Sequence, residues 1–310
     1  MLDIVGIGES DIDLFIRVEN VADKGGKVRG EEIGHLPGGI IGNFCSAVDK
    51  HGVRCGIVSA IGDDEYGRIA LADYQKRGIN LDGLMIIPGQ RTFYCIVYID
   101  AAGEKYLTAV VTPIISPPLD LINYSYIRSA KIAHMCSMDY ELVERVAYEL
   151  TDSDTAISLD YEGHADRAGF GNWKNLLKSV RYLFVNEEGL LSLLPDANPD
   201  EPSQALRSVF ELGVEKVIYT CSDRGGHLYT KEKHLTYKAY KIDKISDTTG
   251  AGDCFNAAFL CAMIKEYPLE YALSYAAAAA ALSIRHVGAR TGLPSTNEIK
   301  AFLCENPEFY

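Results

Sequence analysis

Residues 247–255 read Asp247-Thr248-Thr249-Gly250-Ala251-Gly252-Asp253-Cys254-Phe255, and the apolar stretch Asn256 to Lys265 follows directly. Two glycines and an alanine let a ligand approach the backbone without side-chain hindrance. The first N–H groups of a helix are unsatisfied donors at the positive end of its dipole. The segment therefore reads as an anion hole, with Gly250, Ala251 and Gly252 lending their amides. Asp253 falls in the first helical turn, where a carboxylate reaches a substrate hydroxyl while the amides beside it hold the charge of a transferring phosphoryl group. A glycine-rich turn whose aspartate merely stabilises the helix start would explain a Gly-Ala-Gly tripeptide. It does not explain the whole nonapeptide.

Upstream of this segment, short β-branched runs alternate with helical periodicity. Ile4-Val5, Ile57-Val58, Ile132-Ala133, Ala156 to Leu159, Tyr182 to Val185 and Val217 to Tyr219 read as strands. Asn43 to His51, Asp64 to Arg77 and Asp139 to Leu150 read as helices between them. That alternation is the mark of βαβ units and a mainly parallel sheet. Thr92 to Asp100, a turn at Ala101-Ala102-Gly103 and Glu104 to Thr108 depart from it and read as an antiparallel hairpin. With Ile12 to Val18 the hairpin is expected to form a small separate sheet. The alanine run 276–281 reads as a helix packed closely on its neighbour.

With 310 residues, 47% hydrophobic and 24% charged, the chain has ordinary globular composition, which excludes disordered and fibrous classes. Its net charge of −13 disfavours nucleic acid and anionic membrane as partners. The eight cysteines are scattered, with neither a Cys-x-x-Cys pair nor a Cys/His cluster at zinc spacing, so reduced thiols are expected. The N-terminus lacks a basic stretch followed by an apolar one, and a cytoplasmic location is expected. Gly6-Ile7-Gly8 follows the first strand, but position 11 is Asp where a dinucleotide fingerprint needs its third glycine. The only Gly-Lys dipeptide, Gly26-Lys27, has no P-loop around it. No histidine pair has zinc-hydrolase spacing.

Asp247 to Phe255 resembles the C-terminal signature of the PfkB-type, or ribokinase-like, carbohydrate kinases, whose pattern runs D-[ST]-x-G-A-G-D. Pro37-Gly38-Gly39-Ile40-Ile41-Gly42-Asn43 resembles the glycine pair and asparagine of the family's N-terminal signature, and Gly62-Asp63-Asp64-Glu65-Tyr66-Gly67 its GxDxxG stretch. The resemblance covers essentially the whole chain. It implies an α/β fold, a three-layer sandwich on a mainly parallel sheet, spanning residues 1–310, with a β-lid drawn from about 10–35 and 90–112. It implies ATP-dependent phosphorylation of a hydroxyl on a sugar or sugar-like molecule, with ATP and Mg2+ and room for a monovalent cation. It also implies a homodimer paired through the lid.

By the same resemblance, Asp253 is the catalytic base, and Gly250, Ala251 and Gly252 form the anion hole. Asp13, Gly39 and Asn43 bind the sugar, which suits a polyol held by carboxylate and amide groups. Asn43 as a helix N-cap and Asp13 as an exposed strand residue are the plainer readings. Asn186 belongs to an N-x-x-E element whose fourth position is Gly189, so Glu187 or Glu188 would compensate; a glutamate restored at 189 would then ease the magnesium requirement. Thr220, Ser222 and Gly225 match a T-x-G-x-x-G turn under the nucleotide, with Ser222 in place of its first glycine. No metal ligand is assigned. Asp160 is followed by Tyr161-Glu162-Gly163-His164, without the family's arginine, and Arg91 could meet an anionic substrate. A nucleoside kinase of the same fold, or a catalytically weak sugar-binding or sensory protein, remain the alternatives.

Overall fold

The computed structural model describes residues 2–163, 170–199 and 201–307. The chain opens with β1 (Ile4–Ile7), β2 (Asp11–Val18) and β3 (Gly30–Gly38), then α1 (Ile40–Lys50), β4 (Cys55–Gly62), α2 (Glu65–Lys76) and β5 (Asn80–Ile87). A hairpin of β6 (Tyr94–Ile99) and β7 (Lys105–Val110) leads to α3 (Tyr124–Arg128), β8 (Ile132–Cys136), α4 (Tyr140–Glu149), β9 (Ala156–Tyr161), α5 (Phe170–Leu176) and β10 (Val180–Asn186). Next come α6 (Glu187–Leu193), α7 (Ser203–Glu211), β11 (Lys216–Thr220), β12 (Gly226–Tyr229) and β13 (His234–Tyr237). Three helices close the fold: α8 (Ala251–Ile264), α9 (Leu269–Ser283) and α10 (Thr296–Glu305).

The large sheet has the order β13-β12-β11-β10-β9-β8-β1-β4-β5 and is parallel from β11 to β5, with β12 and β13 antiparallel. Its central strands are apolar on both faces because helices cover both. Ile4 of β1 joins the core under α1, α8 and α9, while its neighbours Val5 and Ile7 join the core under α4, α5 and α7. The alanine run lies in α9, and its small side chains let α9 pack closely beside α8. The result is the expected three-layer sandwich.

The small sheet has the order β3-β2-β6-β7. β2 pairs in parallel with β6, and the expected hairpin forms with Tyr94 opposite Val110. Asp64 anchors its entrance: one carboxylate accepts the Gly67 amide at 2.9 Å as the cap of α2, the Thr92 hydroxyl at 2.6 Å and the Thr92 amide at 3.1 Å. The GxDxxG-like stretch thus fixes where the hairpin leaves the main sheet. α1 begins at Ile40, three residues before the expected Asn43, because Gly39 supplies the break with φ 84°. Among the described residues no helix is long and apolar enough to cross a membrane.

Candidate active site

α8 starts after Gly250, whose left-handed φ of 75° suits glycine. Thr249 and Asp247 shape this turn. Asp247 Oδ1 accepts the Thr249 amide at 2.9 Å and hydroxyl at 2.7 Å, and its Oδ2 accepts the Gly288 amide at 2.8 Å. Lys105, at the start of β7, reaches the same carboxylate at 2.5 Å and so ties the small sheet to the turn that starts α8. These donors hold the Asp247 carboxyl below its usual range despite burial. Nothing lies within 4 Å of where a Cβ on Gly252 would sit, so the helix start faces open space.

Asp253 is buried at this helix start. Its Oδ2 accepts a 2.9 Å hydrogen bond from Asn43 Nδ2. Asn43 lies in the first turn of α1 rather than at its cap, with its own amide donating to Gly39 O. Its side-chain oxygen accepts from Arg290 Nε at 2.9 Å, so the two partners fix which way the amide faces. Arg290 is itself buried, donates to Asp73 at 2.8 Å and to the Gly38 carbonyl, and stacks 5.1 Å over the Tyr74 ring. Gly42 permits this, since a Cβ there would occupy the guanidinium's place. Burial, reinforced by Glu162 and Glu9, pushes the Asp253 pKa up to about 8 against the opposing pull of Asn43. Asn256, three residues on, donates to the buried Asp160 at 2.7 Å.

The other expected sugar residues gather on β2 and the start of α1. Asp11 and Asp13 share one strand face opposite Gly38, where a Cβ would meet both carboxylates. Asp13 is 9% exposed, not the solvent-facing strand residue of the plainer reading. Burial raises its pKa, against the pull of Arg290 and Lys105. Gly39, φ 84°, lies against the backbone of Ser10 and Asp11. Glu9, Asp11, Asp160 and Arg290 join this cluster without having been singled out in the sequence. A period of two along β2 was the available signal for Asp11, whereas an isolated arginine in a Gly-Ala turn offered none. Arg91 is exposed. His164 lies outside the described residues.

The expected nucleotide residues sit side by side at the carboxyl ends of β10 and β11, where open α/β sheets bind ligands. Asn186 and Thr220 are paired in register. Asn186 caps α6 by accepting the Gly189 amide at 2.7 Å. Ser222 adopts φ 52° and Gly225 φ 87°, so serine tolerates the left-handed position that the matching pattern gives to glycine. Arg224 of this turn pairs with Glu187, which links the turn to α6. A Cβ at Gly189 would run into the Tyr161 carbonyl at the end of β9. The notion that a glutamate at 189 would ease magnesium handling therefore fails on space. Gly189→Glu is expected instead to destabilise the protein by about 1–3 kcal/mol, as overpacking does, measured by urea denaturation.

Nothing in this arrangement is confined to one short motif. The sequence pattern of the pfkB family carbohydrate kinases matches residues 1–296. An ATP-dependent ribose-1-phosphate kinase of Halopiger xanaduensis is 25% identical over 307 residues, covering 98% of this chain and 99% of that protein. Fructokinase-2 of Solanum habrochaites is 28% identical, covering 97% and 95%. Among solved structures, ribokinase from Thermotoga maritima aligns with a TM-score of 0.86 at 26% identity over 98% of this chain and all of that one. Two signatures joined through Asn43 and Asp253, a family match over residues 1–296 and a structural match over 98% of the chain agree: the chain belongs to the pfkB family of carbohydrate kinases.

Proposed function

We propose that Asp253 takes the proton from a sugar hydroxyl as that oxygen attacks the γ-phosphorus of ATP. A new O–P bond forms, the bond to the β–γ bridging oxygen breaks, and ADP leaves with its electron pair. The amides of Gly250, Ala251 and Gly252 face the transferring group, and their fixed dipoles stabilise charge without reorganisation. The observation that carries this reading is the 2.9 Å bond from Asn43 to Asp253, which unites both signatures beside the open face of Gly252. Asp13, Gly39 and Asn43 hold the sugar, and Asn186, Thr220, Ser222 and Gly225 form the floor under the nucleotide. A coupled ADP-release assay against pentoses, hexoses, sugar phosphates and nucleosides tests the assignment. ADP release no faster with any of them than with ATP alone would sink it.

Magnesium, when bound with ATP, would supply positive charge that neutralises the phosphates. Glu162 and Glu188 fit it as hard oxygen donors, since Gly163 packs directly on Glu188 and brings the two segments together. A potassium titration in the same assay reads any monovalent-cation requirement. The small sheet, latched to Asp247 by Lys105, excludes water from the transferring group. Ile33, Tyr106 and Leu107 on that sheet are exposed apolar side chains, and we assign the homodimer to this surface. Free thiols, seven of the eight cysteines being buried, suit the cytoplasm.

Removing the Asp13 carboxylate takes away a charged acceptor for sugar hydroxyls. Asp13→Ala is expected to weaken sugar binding by about 1.5–3 kcal/mol with a smaller effect on kcat. Calorimetry reads it directly, and unchanged affinity would show that Asp13 does not face the sugar.

A further inference from the structure

Among the described residues, the carboxylates at the sugar end outnumber the cations that touch them. Glu9 and Asp11 are 7% and 5% exposed, yet Glu9 Oε2 and Asp11 Oδ1 have no hydrogen-bond partner. Glu9 lines a cavity of about 410 Å3 together with Gly8, Ile115, Cys136, Met138 and Tyr140; Asp139 and Glu141 stand at its wall, and among the described residues no lysine or arginine does. The nearby cations are committed elsewhere. Arg290 is spent on Asn43, Asp73 and Gly38, and Lys105 on Asp247. Burial, and after it their repulsion of one another, raises the cost of ionising Glu9 and Asp11.

Buried acceptors without partners mark a place where a ligand completes the structure. A neutral hydroxyl satisfies one oxygen and leaves the like charges in place. An ammonium brings three donors and a positive charge at once. A metal ion is the poorer occupant. Asp11, Asp13 and Cys95 come within 4.8 Å of one another, but the Cys95 thiol donates to Asp11 Oδ2 at 3.5 Å, and burial beside carboxylates keeps it protonated. A sugar phosphate or uronate would set a further negative charge against Glu9.

We infer that the acceptor is a monosaccharide bearing a protonated amine, with its ammonium seated on Glu9 and Asp11 close behind. This rests on the reading that Asp13, Gly39 and Asn43 hold the sugar. Glu9 and Asp11 thereby set specificity by charge. The substrate is supplied by a reaction class that places nitrogen on a sugar, and the product is an aminated sugar phosphate.

Matched sets test it: fructose, 1-amino-1-deoxyfructose and fructose 1-phosphate; glucose, 2-amino-2-deoxyglucose and glucose 6-phosphate. In at least one set the amine is expected to exceed its neutral parent in kcat/KM by about tenfold or more, the size of a charged hydrogen bond, with the phosphate poorest. Glu9→Gln is expected to shrink the amine-to-neutral ratio toward one, each rate being taken on the same variant. No preference in any set, or a preference that neither Glu9→Gln nor Asp11→Asn alters, overturns the inference. If none of the sugars is turned over, calorimetry on the same sets decides by the same ratio, and no binding of either amine overturns it. ADP release from neutral sugars without amine preference defeats this inference alone, whereas amine binding without any ADP release defeats the kinase assignment of the site alone.

Discussion

Asp253→Asn is expected to lower kcat by about 10²–10⁴-fold while the sugar affinity stays within a few-fold, because the change removes a proton acceptor and keeps the side chain's shape. Asn43 Nδ2 would then face an amide instead of a carboxylate, so part of the loss comes from a weaker positioning bond. The parent's pH profile offers a second check. With the Asp253 pKa pushed up to about 8, kcat/KM should climb with pH and level off near that value, since the base works only when ionised. The same shift has a stability consequence. A folded pKa raised above the usual 3.8 gives stability that is fully present below the unfolded value and is lost as the pH rises through about 8. Asparagine carries no such proton, so the variant should gain stability relative to the parent across that window. Turnover by Asp253→Asn comparable with the parent would remove Asp253 from the chemistry.

Arg290→Met is expected to cost about 3–5 kcal/mol of folding stability, the usual penalty for breaking a buried ionic pair on one side. The guanidinium holds three groups at once: Asn43 Oδ1 at 2.9 Å, Asp73 Oδ2 at 2.8 Å and the Gly38 carbonyl. Asp73 keeps Arg77 as a partner at 3.1 Å, but Asn43 and Gly38 lose their donor, and the carboxylates of Asp11, Asp13 and Asp253 lose the positive charge that opposes their repulsion. Catalysis should fall as well, because the Asn43 amide is no longer fixed with its nitrogen toward Asp253. Arg290 acts through Asn43 and is a positioning residue. Arg290→Lys should recover little, since one ammonium cannot reproduce the planar fork that serves separate acceptors. Urea denaturation reads the stability term. A loss below about 1 kcal/mol would mean that the guanidinium's desolvation cancels its contacts.

Local chemistry made much of the fold legible. Strands buried on both faces, helices with Asp64 and Asp139 at their starts, and a hairpin turning at Gly103 follow from nearest neighbours and from period, and the structure places them where that reading does. The nonapeptide at 247–255 likewise carries its helix start and its glycines in one continuous segment, so its geometry needs little from elsewhere. By itself, then, the sequence determined the layered α/β class, the glycine-flanked start of α8 and Asp253 as the carboxylate in its first turn. What joins that carboxylate to anything was decided only in three dimensions. Asn43, Arg290 and Asp253 come from three distant parts of the chain, and only the close packing of α1 on α8 brings them within hydrogen-bond distance. The same holds for Gly189, whose missing side chain is explained by the Tyr161 carbonyl of another strand, and for Glu9, ordinary in sequence but with its Oε2 buried without a hydrogen-bond partner in the fold. Burial and long-range approach set the cost of a charge and the direction of a bond, and neither is a property of neighbouring residues along the chain.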